Sequence, residues 1–426
     1  MGNGKLTGRA RKGQGGSTWF LAATLLAAFS LCPAAGGADA GLPEEGPAIR
    51  GELGSPVRAE GPRESPGSAA APRRAPAAAM QPYDFGDPTD LEQYMLELVN
   101  DARAHPLETA ERLSLTNLNE GLPPGTISPD PKQPLAWSRF LIASARAHSQ
   151  WMLDNDIFSH YEGANNEIDP GDRMEAAGYP FRPPWTWGEN IAWQGSTGGA
   201  DGPSFTLAEH EGLFRSPHHR ENILEPDFEE IGIGIIRGFF TSEGTTYDAY
   251  MTTQNFASSS GTPGPFVTGV VYADLDGDGA YSPGEGIGGV EIRPERGEYY
   301  AVTADSGGFA IPFIRNTGET TFTIRFPGVP DPLTRTLFLG TENVKMDIEA
   351  SSGIPVEFAV SSARVDEQGV FHCRLSGPFG RRVRVERSTD LLHWSKAKDL
   401  TLEGGAAEFS ESASHAARFY RARLLD

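Results

Sequence analysis

The sequence predicts an α+β domain followed by two small all-β, sandwich-like modules, all behind an export signal. Three observations carry this reading. Apolar residues recur at helical spacing from Leu91 to Ala102 and again from Leu141 to Met152. From about residue 229 the pattern changes to strands, in Ile231-Gly-Ile-Gly-Ile-Ile236 and in Tyr247 to Phe256. Beyond residue 264, short β-branched runs alternate with Gly, Asp and Pro turns. Helices around a small sheet make residues 83–260 an α+β domain. A chain of 426 residues has room for about two to four such cores.

The N-terminus sets the compartment. Lys5, Arg9, Arg11 and Lys12 precede an apolar run from Trp19 to Leu31, and Ala38-Asp39-Ala40 offers small residues for cleavage. This is the three-part layout of a secretory signal peptide, residues 1–40, and the run is short of the ~20 apolar residues that span a bilayer. No later segment is apolar enough to span either, so the expected location is extracellular or at the cell surface. A lipoprotein reading through Cys32 is disfavoured because Leu31 stands where a small residue is wanted. Residues 1–40 carry a net +3, which takes the formal charge of −21 to −24 for the remainder. That sign disfavours nucleic acid and anionic membrane surfaces as partners and favours divalent cations. With Cys32 removed, Cys373 has no cysteine partner, and its alternating surroundings read as a small buried hydrophobe.

Residues 41–82 are rich in Pro, Ala, Gly, Glu and Arg, a composition that cannot offset its own ordering entropy, and read as a disordered linker. Thr89 and Glu92 then form a capping box ahead of the first helix, and Pro106 limits it. His105 falls at a helix end, and His148 on the apolar face of the second helix as a packed core histidine. Ser258 to Pro265 is a linker by composition. A β-module over residues 264–350 follows, and after a break at Ser351 to Pro355 a C-terminal β-module over residues 354–426. Its histidines, His372, His393 and His415, read as structural.

Three stretches of the first domain combine residue types that solvated loops seldom need together. They are Phe158-Ser-His160, Trp187-Gly-Glu-Asn-Ile191 and Ser216-Pro-His-His-Arg-Glu-Asn-Ile-Leu224. Imidazole nitrogen with carboxylate oxygen is a common ligand set for zinc-like ions. Spacing leaves two readings open, convergence on a metal or separate helix caps and satisfied buried groups. There is no G-x-S-x-G elbow, H-E-x-x-H pair or glycine-rich phosphate loop in a supporting context.

The ordered set Leu98-Val-Asn-x-x-Arg103, Phe158-Ser-His160, Gly188-Glu-Asn-Ile191, His219-Arg-x-Asn-Ile-Leu224, Ile231-Gly-Ile-Gly234 and Thr253-Gln-x-Phe256 resembles the CAP superfamily. That superfamily groups the SCP-like, cysteine-rich secretory, antigen 5 and pathogenesis-related proteins. The resemblance implies an α-β-α sandwich with a central cleft lined by two His and two Glu. It assigns His160, Glu189 and His219 to a divalent-metal site, with Glu189 the candidate general base. Ser216, Asn190, Asn222 and Gln254 would line the cleft. His219 rather than His218 matches, because Arg220 and Asn222 follow at the right offsets; His218 is expected to face solvent. Ser216 stands where a second glutamate is expected, and Glu209 or Glu211 nearby could substitute.

The second module opens with Asp274-Leu-Asp276-Gly-Asp278-Gly279-Ala280-Tyr-Ser-Pro-Gly-Glu285, the ligand pattern of an EF-hand loop. Carboxylates at positions 1, 3, 5 and 12 and the Ala280 carbonyl at position 7 suit Ca2+. The flanks read as strands, and residues 264–350 resemble calcium-binding B-type repeats of bacterial surface proteins and carboxypeptidase-regulatory-like sandwiches. The C-terminal module resembles, more loosely, C-terminal modules of exported bacterial proteins. The expected function is binding of a divalent metal with a small ligand, lipid or peptide in the cleft. The β-modules would serve for spacing or for attachment to a surface protein or glycan. A metal-dependent hydrolase and an adhesive protein with a vestigial cleft are the alternatives.

Overall fold

The computed structural model describes residues 49–51 and 79–425, apart from positions 328, 330, 351–355, 390, 403–404 and 413–417. The expected signal peptide, most of the linker, the break at 351–355 and His415 lie outside the described residues. No helix among the described residues is long and apolar enough to cross a membrane.

The helices are α1 (Asp90–Ala104), α2 (Pro106–Arg112), α3 (Arg139–Asn155), α4 (Pro170–Ala176), α5 (Gly202–Arg215) and α6 (Pro217–Ile223). The first strands are β1 (Ile49–Gly51), β2 (Gln81–Pro82), β3 (Ala136–Trp137), β4 (Trp185–Ser196), β5 (Glu230–Ser242), β6 (Thr245–Ser259) and β7 (Phe266–Tyr272). Helix α1 starts as the sequence predicts: the Glu92 amide donates to Thr89 Oγ1, and the Thr89 amide to the Glu92 carboxylate. His105 ends α1 and Pro106 begins α2.

One sheet runs in the order β1-β4-β6-β5-β3, with the long β4, β6 and β5 antiparallel and β3 parallel to β5. The Ile-Gly-Ile-Gly run of β5 divides its two faces by strand alternation. Ile231 and Ile233 join Met95, Leu96 and Val99 of α1 and Leu213 of α5 in one core cluster. Gly232 and Gly234 face α3 instead. A Cβ on Gly232 would lie 1.9 Å from the Leu141 carbonyl carbon, and one on Gly234 2.3 Å from the Arg146 nitrogen. Helix α3 therefore rests on bare backbone.

The stretch read as a linker leads straight into the second module. Ser259 is buried, accepts from the Arg182 amide at 2.9 Å and donates to the Pro180 carbonyl at 2.7 Å. Strand β7 pairs antiparallel with Gly308–Pro312 and parallel with Val344–Lys345. A second sheet orders Leu333–Leu339, Gly318–Arg325, Glu291–Pro294, Tyr299–Val302 and then β2. Within the residues expected to be disordered, then, β1 and β2 are strands, and β2 adds to the sheet of the second module.

Phe85, Trp137 and Ile231 share a single apolar cluster with Phe266, Phe309 and Phe322, so the two units have one continuous core. Asn343 ties them: its amide nitrogen donates to the Pro134 and Glu229 carbonyls at 2.9 and 2.7 Å, and its oxygen accepts from the Phe266 amide at 2.7 Å. The C-terminal residues form two three-stranded sheets around Leu375, Val383, Val385, Leu402 and Phe409, with Cys373 buried.

Gly232→Ala tests the close approach of α3. The added methyl must displace backbone, so stability should fall by roughly 1–3 kcal/mol or more in chemical denaturation. An unchanged midpoint would show that α3 does not rest there.

Candidate functional site

Glu189 is fully buried on β4 and is reached from four other elements. His160, in the loop between α3 and α4, donates from Nδ1 to Glu189 Oε1 at 2.8 Å. Arg173 of α4 donates from Nη2 to Oε2 at 2.5 Å and from Nη1 to the His160 carbonyl at 2.8 Å. Asn255, opposite on β6, fits with its amide nitrogen toward Glu189 Oε2 at 2.9 Å, because its oxygen then accepts from Ser144 Oγ and the Ala145 amide of α3.

A second carboxylate completes the network. Glu162 accepts from His148 Nδ1 at 2.7 Å and lies 3.5 Å from Arg173 Nε, while His148 Nε2 is 3.9 Å from Glu189 Oε1. Burial pushes the Glu189 carboxyl up, but Arg173, then His148 and His160, outweigh it and hold the group at about 2. It is ionised throughout the neutral range, with both oxygens engaged.

His219 approaches by another route. Its Nδ1 is 2.7 Å from Ser216 Oγ, and its carbonyl accepts from Asn190 Nδ2 at 3.3 Å. Asn190 also donates to Gln254 Oε1 at 3.1 Å and accepts from Asn222 Nδ2 at 3.0 Å. Asn222 reaches the Glu189 carbonyl at 3.3 Å as well. Glu189 and Asn190 are adjacent on a strand and so point to opposite faces. Asn190, Asn222 and Gln254, three of the four residues expected to line a cleft, form a connected amide network joined to Glu189 through its backbone, and Ser216 contacts His219 instead. His218 is exposed, as expected.

The structure joins His160 to Glu189 but does not close His160, Glu189 and His219 into one tight set. Among the described residues, the group of three His, Cys, Asp or Glu with ligand atoms all within 4.8 Å of one another is Asp274, Asp276 and Asp278. The residues that sequence reasoning missed are Glu162 and Arg173; His148 is buried as expected, but as a charged group's partner as well as a core residue. The only signal for Glu162 was its position two residues after His160. Glu211 pairs with Arg215 at 3.1 Å. Glu209 is buried and accepts from Thr252 Oγ1 at 2.5 Å, while its Oε1 has no partner among the described residues. Desolvation pushes its carboxyl up to about 8 and neighbouring His210 down to about 3, so both are neutral at pH 7.

The acidic loop of the second module is folded around its own amides. Asp274 accepts from the Gly277 and Gly279 amides at 2.8 and 3.2 Å, Asp276 from the Asp278 amide at 3.1 Å, and Asp278 from the Ala280 amide at 2.7 Å. Glu285 accepts from the Leu275 and Ser282 amides at 2.7 and 2.8 Å. Gly277 and Gly279 both have φ of +81°, a conformation that suits glycine.

Residues 96–281 match the CAP family, described as the Cysteine-rich secretory protein family. The chain is 32% identical over 107 residues to the uncharacterized membrane protein YlbC of Bacillus subtilis (strain 168), a quarter of this chain and 27% of that one. It is 35% identical over 104 residues to the uncharacterized protein YkwD of the same strain, 24% of this chain and 35% of that one. It therefore spans about a third or less of the curated relatives it matches. Two solved structures from Bacteroides align at 14% identity over 38% of this chain. One is a putative carbohydrate binding protein from Bacteroides uniformis (79% of that chain, TM-score 0.17), the other a DUF3823 family protein from Bacteroides ovatus (82%, TM-score 0.16). Scores that low carry no argument. The match to the CAP family thus spans α+β structure from within α1 through the first sheet and on into the acidic loop, and beyond it the regular elements among the described residues are strands.

Two expectations follow. Arg173→Met leaves the ionised Glu189 buried without its cation, and should cost roughly 3–5 kcal/mol in chemical denaturation; a cost below 1 kcal/mol would mean the pair is not formed. Glu209 is protonated in the folded chain up to about pH 8 but ionises near 4.5 when unfolded. Its contribution to stability is therefore full below pH 4.5 and is lost as pH rises through about 8. Glu209→Gln should flatten stability between those limits, measured as unfolding free energy against pH; a parallel curve would refute the neutral buried acid.

Proposed function

We propose that this chain is an exported CAP-type binding protein whose α-β-α domain holds a zinc-like divalent ion through the Nε2 atoms of His160 and His219. The observation that carries the reading is the His160–Glu189 hydrogen bond. An ionised carboxylate can only accept, so the Nδ1 proton stays on His160 and the lone pair lies on Nε2. That Nε2 is buried with no partner among the described residues. Ser216, accepting from His219 Nδ1, would set the same tautomer there. Glu189 then serves as the carboxylate behind a metal-binding imidazole, a role that raises ligand basicity and fixes ring orientation.

This revises the role expected of Glu189. A general base must take a proton near neutral pH, and a carboxylate held at about 2 by Arg173 is poorly suited to that. A bound ion would offer an open coordination position to an oxygen or nitrogen of a small ligand or peptide. Helices against both faces of the sheet, divided by the Ile-Gly alternation of β5, support the α-β-α arrangement. The acidic loop supports a structural Ca2+ in the second module through its three clustered aspartates and Glu285. The acidic chain and its N-terminal pattern support export.

Residues 41–426 should bind zinc in calorimetry, and the combined His160→Ala and His219→Ala variant should lose that binding. Glu189→Gln should weaken it by about 10–100-fold. Zinc affinity equal in the wild type and the double-histidine variant would remove the cleft site. Calcium should raise the melting temperature only while Asp274 and Glu285 are intact; an equal rise in Asp274→Ala/Glu285→Ala would remove the loop reading.

A further inference from the structure

A cavity of about 470 Å3 lies where α1 and α2 meet β7 and the acidic loop, away from the His160–Glu189 network. Its size and its place between two structural units are those of a small-ligand cleft. Tyr94 and Leu98 of α1 line one side; Val270 and Tyr272 of β7, with Gly279 to Ser282 of the loop, line the other. Tyr272 and Tyr281 are buried and meet edge to face, with centroids 6.3 Å apart and ring planes at 86°. Tyr94 packs against that pair and is half-buried, so it presents ring surface from a fixed wall.

Most of the charges in the cleft are matched, and Asp278, which is in no ion pair among the described residues, accepts from the Ala280 amide at 2.7 Å. Lys345 Nζ lies 2.6 Å from Glu97 Oε2 and also bonds Asp347. Asp101, at the mouth, is shared between His105 Nδ1 at 2.9 Å and Arg112 at 3.9 Å. An anion would meet the carboxylates of Glu97, Asp101, Asp278 and Asp347, and one that drew Lys345 or Arg112 away would leave a partly buried group uncompensated. A hydroxyl both donates and accepts, so it can add to a carboxylate or an ammonium without displacing its partner. An aromatic wall beside paired charges suits a molecule with an apolar C–H face and a rim of hydroxyls.

We propose that this inter-module cleft binds a neutral saccharide, with its ring on Tyr94 and its hydroxyls against the Glu97–Lys345–Asp347 set. The inference does not rest on the metal reading. It uses residues of helix α1 and of the β7–loop module, so neither part alone would make the site.

Residues 41–426 would be screened on an array of neutral oligosaccharides built from glucose, galactose, mannose and N-acetylglucosamine, in calcium and in chelator. Hits would be titrated by calorimetry. At least one should bind; Tyr94→Ala should weaken it about tenfold, and Leu98→Arg, which fills the cleft, should abolish it. Phe338→Ala, on an exposed strand outside the cleft, should leave it unchanged. Because either cleft variant could disturb folding, hydrogen exchange of the wild type with the hit saccharide gives an independent reading. Protection is expected in residues 94–112 and 278–282. Binding of no neutral glycan, binding confined to charged or flat aromatic probes, protection elsewhere, or equal affinity in natively melting cleft variants would each overturn the proposal.

Discussion

A carboxylate with no solvent exposure has to be compensated from within, and Glu189 imposes that constraint on the whole first domain. No single neighbour suffices. His160 comes from a loop, Arg173 from α4, Asn255 from β6, and His148 and Ser144 from α3. His160, Arg173 and Asn255 must be delivered to within hydrogen-bond reach of one point on β4, while His148 stands 3.9 Å away and Ser144 holds Asn255. The loop and short helix between α3 and β4 are thus held by charge as well as by the packing of Met174 and Tyr179 on Leu141 and Trp187. That helix has only seven residues, too few to persist alone.

The sheet that carries Glu189 is positioned by a different means. Gly232 and Gly234 let α3 settle on bare backbone, which brings Ser144 and His148 close enough to take part. The isoleucines on the other side of the same strand merge the first domain's core with that of the second module. Asn343 and the Lys345–Glu97 pair then fix the second module against the first. The junction cleft is a consequence of that docking, since it is walled by residues from two units.

Local features were legible in the sequence because their causes are local. The capping box at Thr89 and Glu92 needs only four residues, and the Ile-Gly run of β5 reads as a strand, although the close approach of α3 to its glycines appears only in the structure. The acidic loop displays its spacing in twelve consecutive residues. The partners of Glu189 were harder to read. His148 sat on an apolar helical face and read as packing, which its burial agrees with, but its Nδ1–Glu162 bond depends on a loop fourteen residues away. Arg173 is close to fully buried, a state that arginine composition never announces, and its partner lies sixteen residues on. The junction cleft was invisible for the same reason: a linker composition at 258–265 suggested separation, whereas Ser259 is tied into the fold.

The way Glu189 is stabilised also bears on what its site can do. Arg173 lowers the energy of the ionised form, and any step that protonated Glu189 would have to give that stabilisation up. The other oxygen of the ionised carboxylate, Oε1, keeps the proton of His160 on Nδ1 and so leaves the lone pair on the opposite nitrogen. Together the two contacts make Glu189 a poor acceptor of protons and suit His160 to the ligand role proposed for it. Catalysis by Glu189 and presentation of His160 Nε2 pull the same carboxylate in opposite directions. With both of its oxygens held as they are, the carboxylate accords better with the proposed binding role than with proton abstraction.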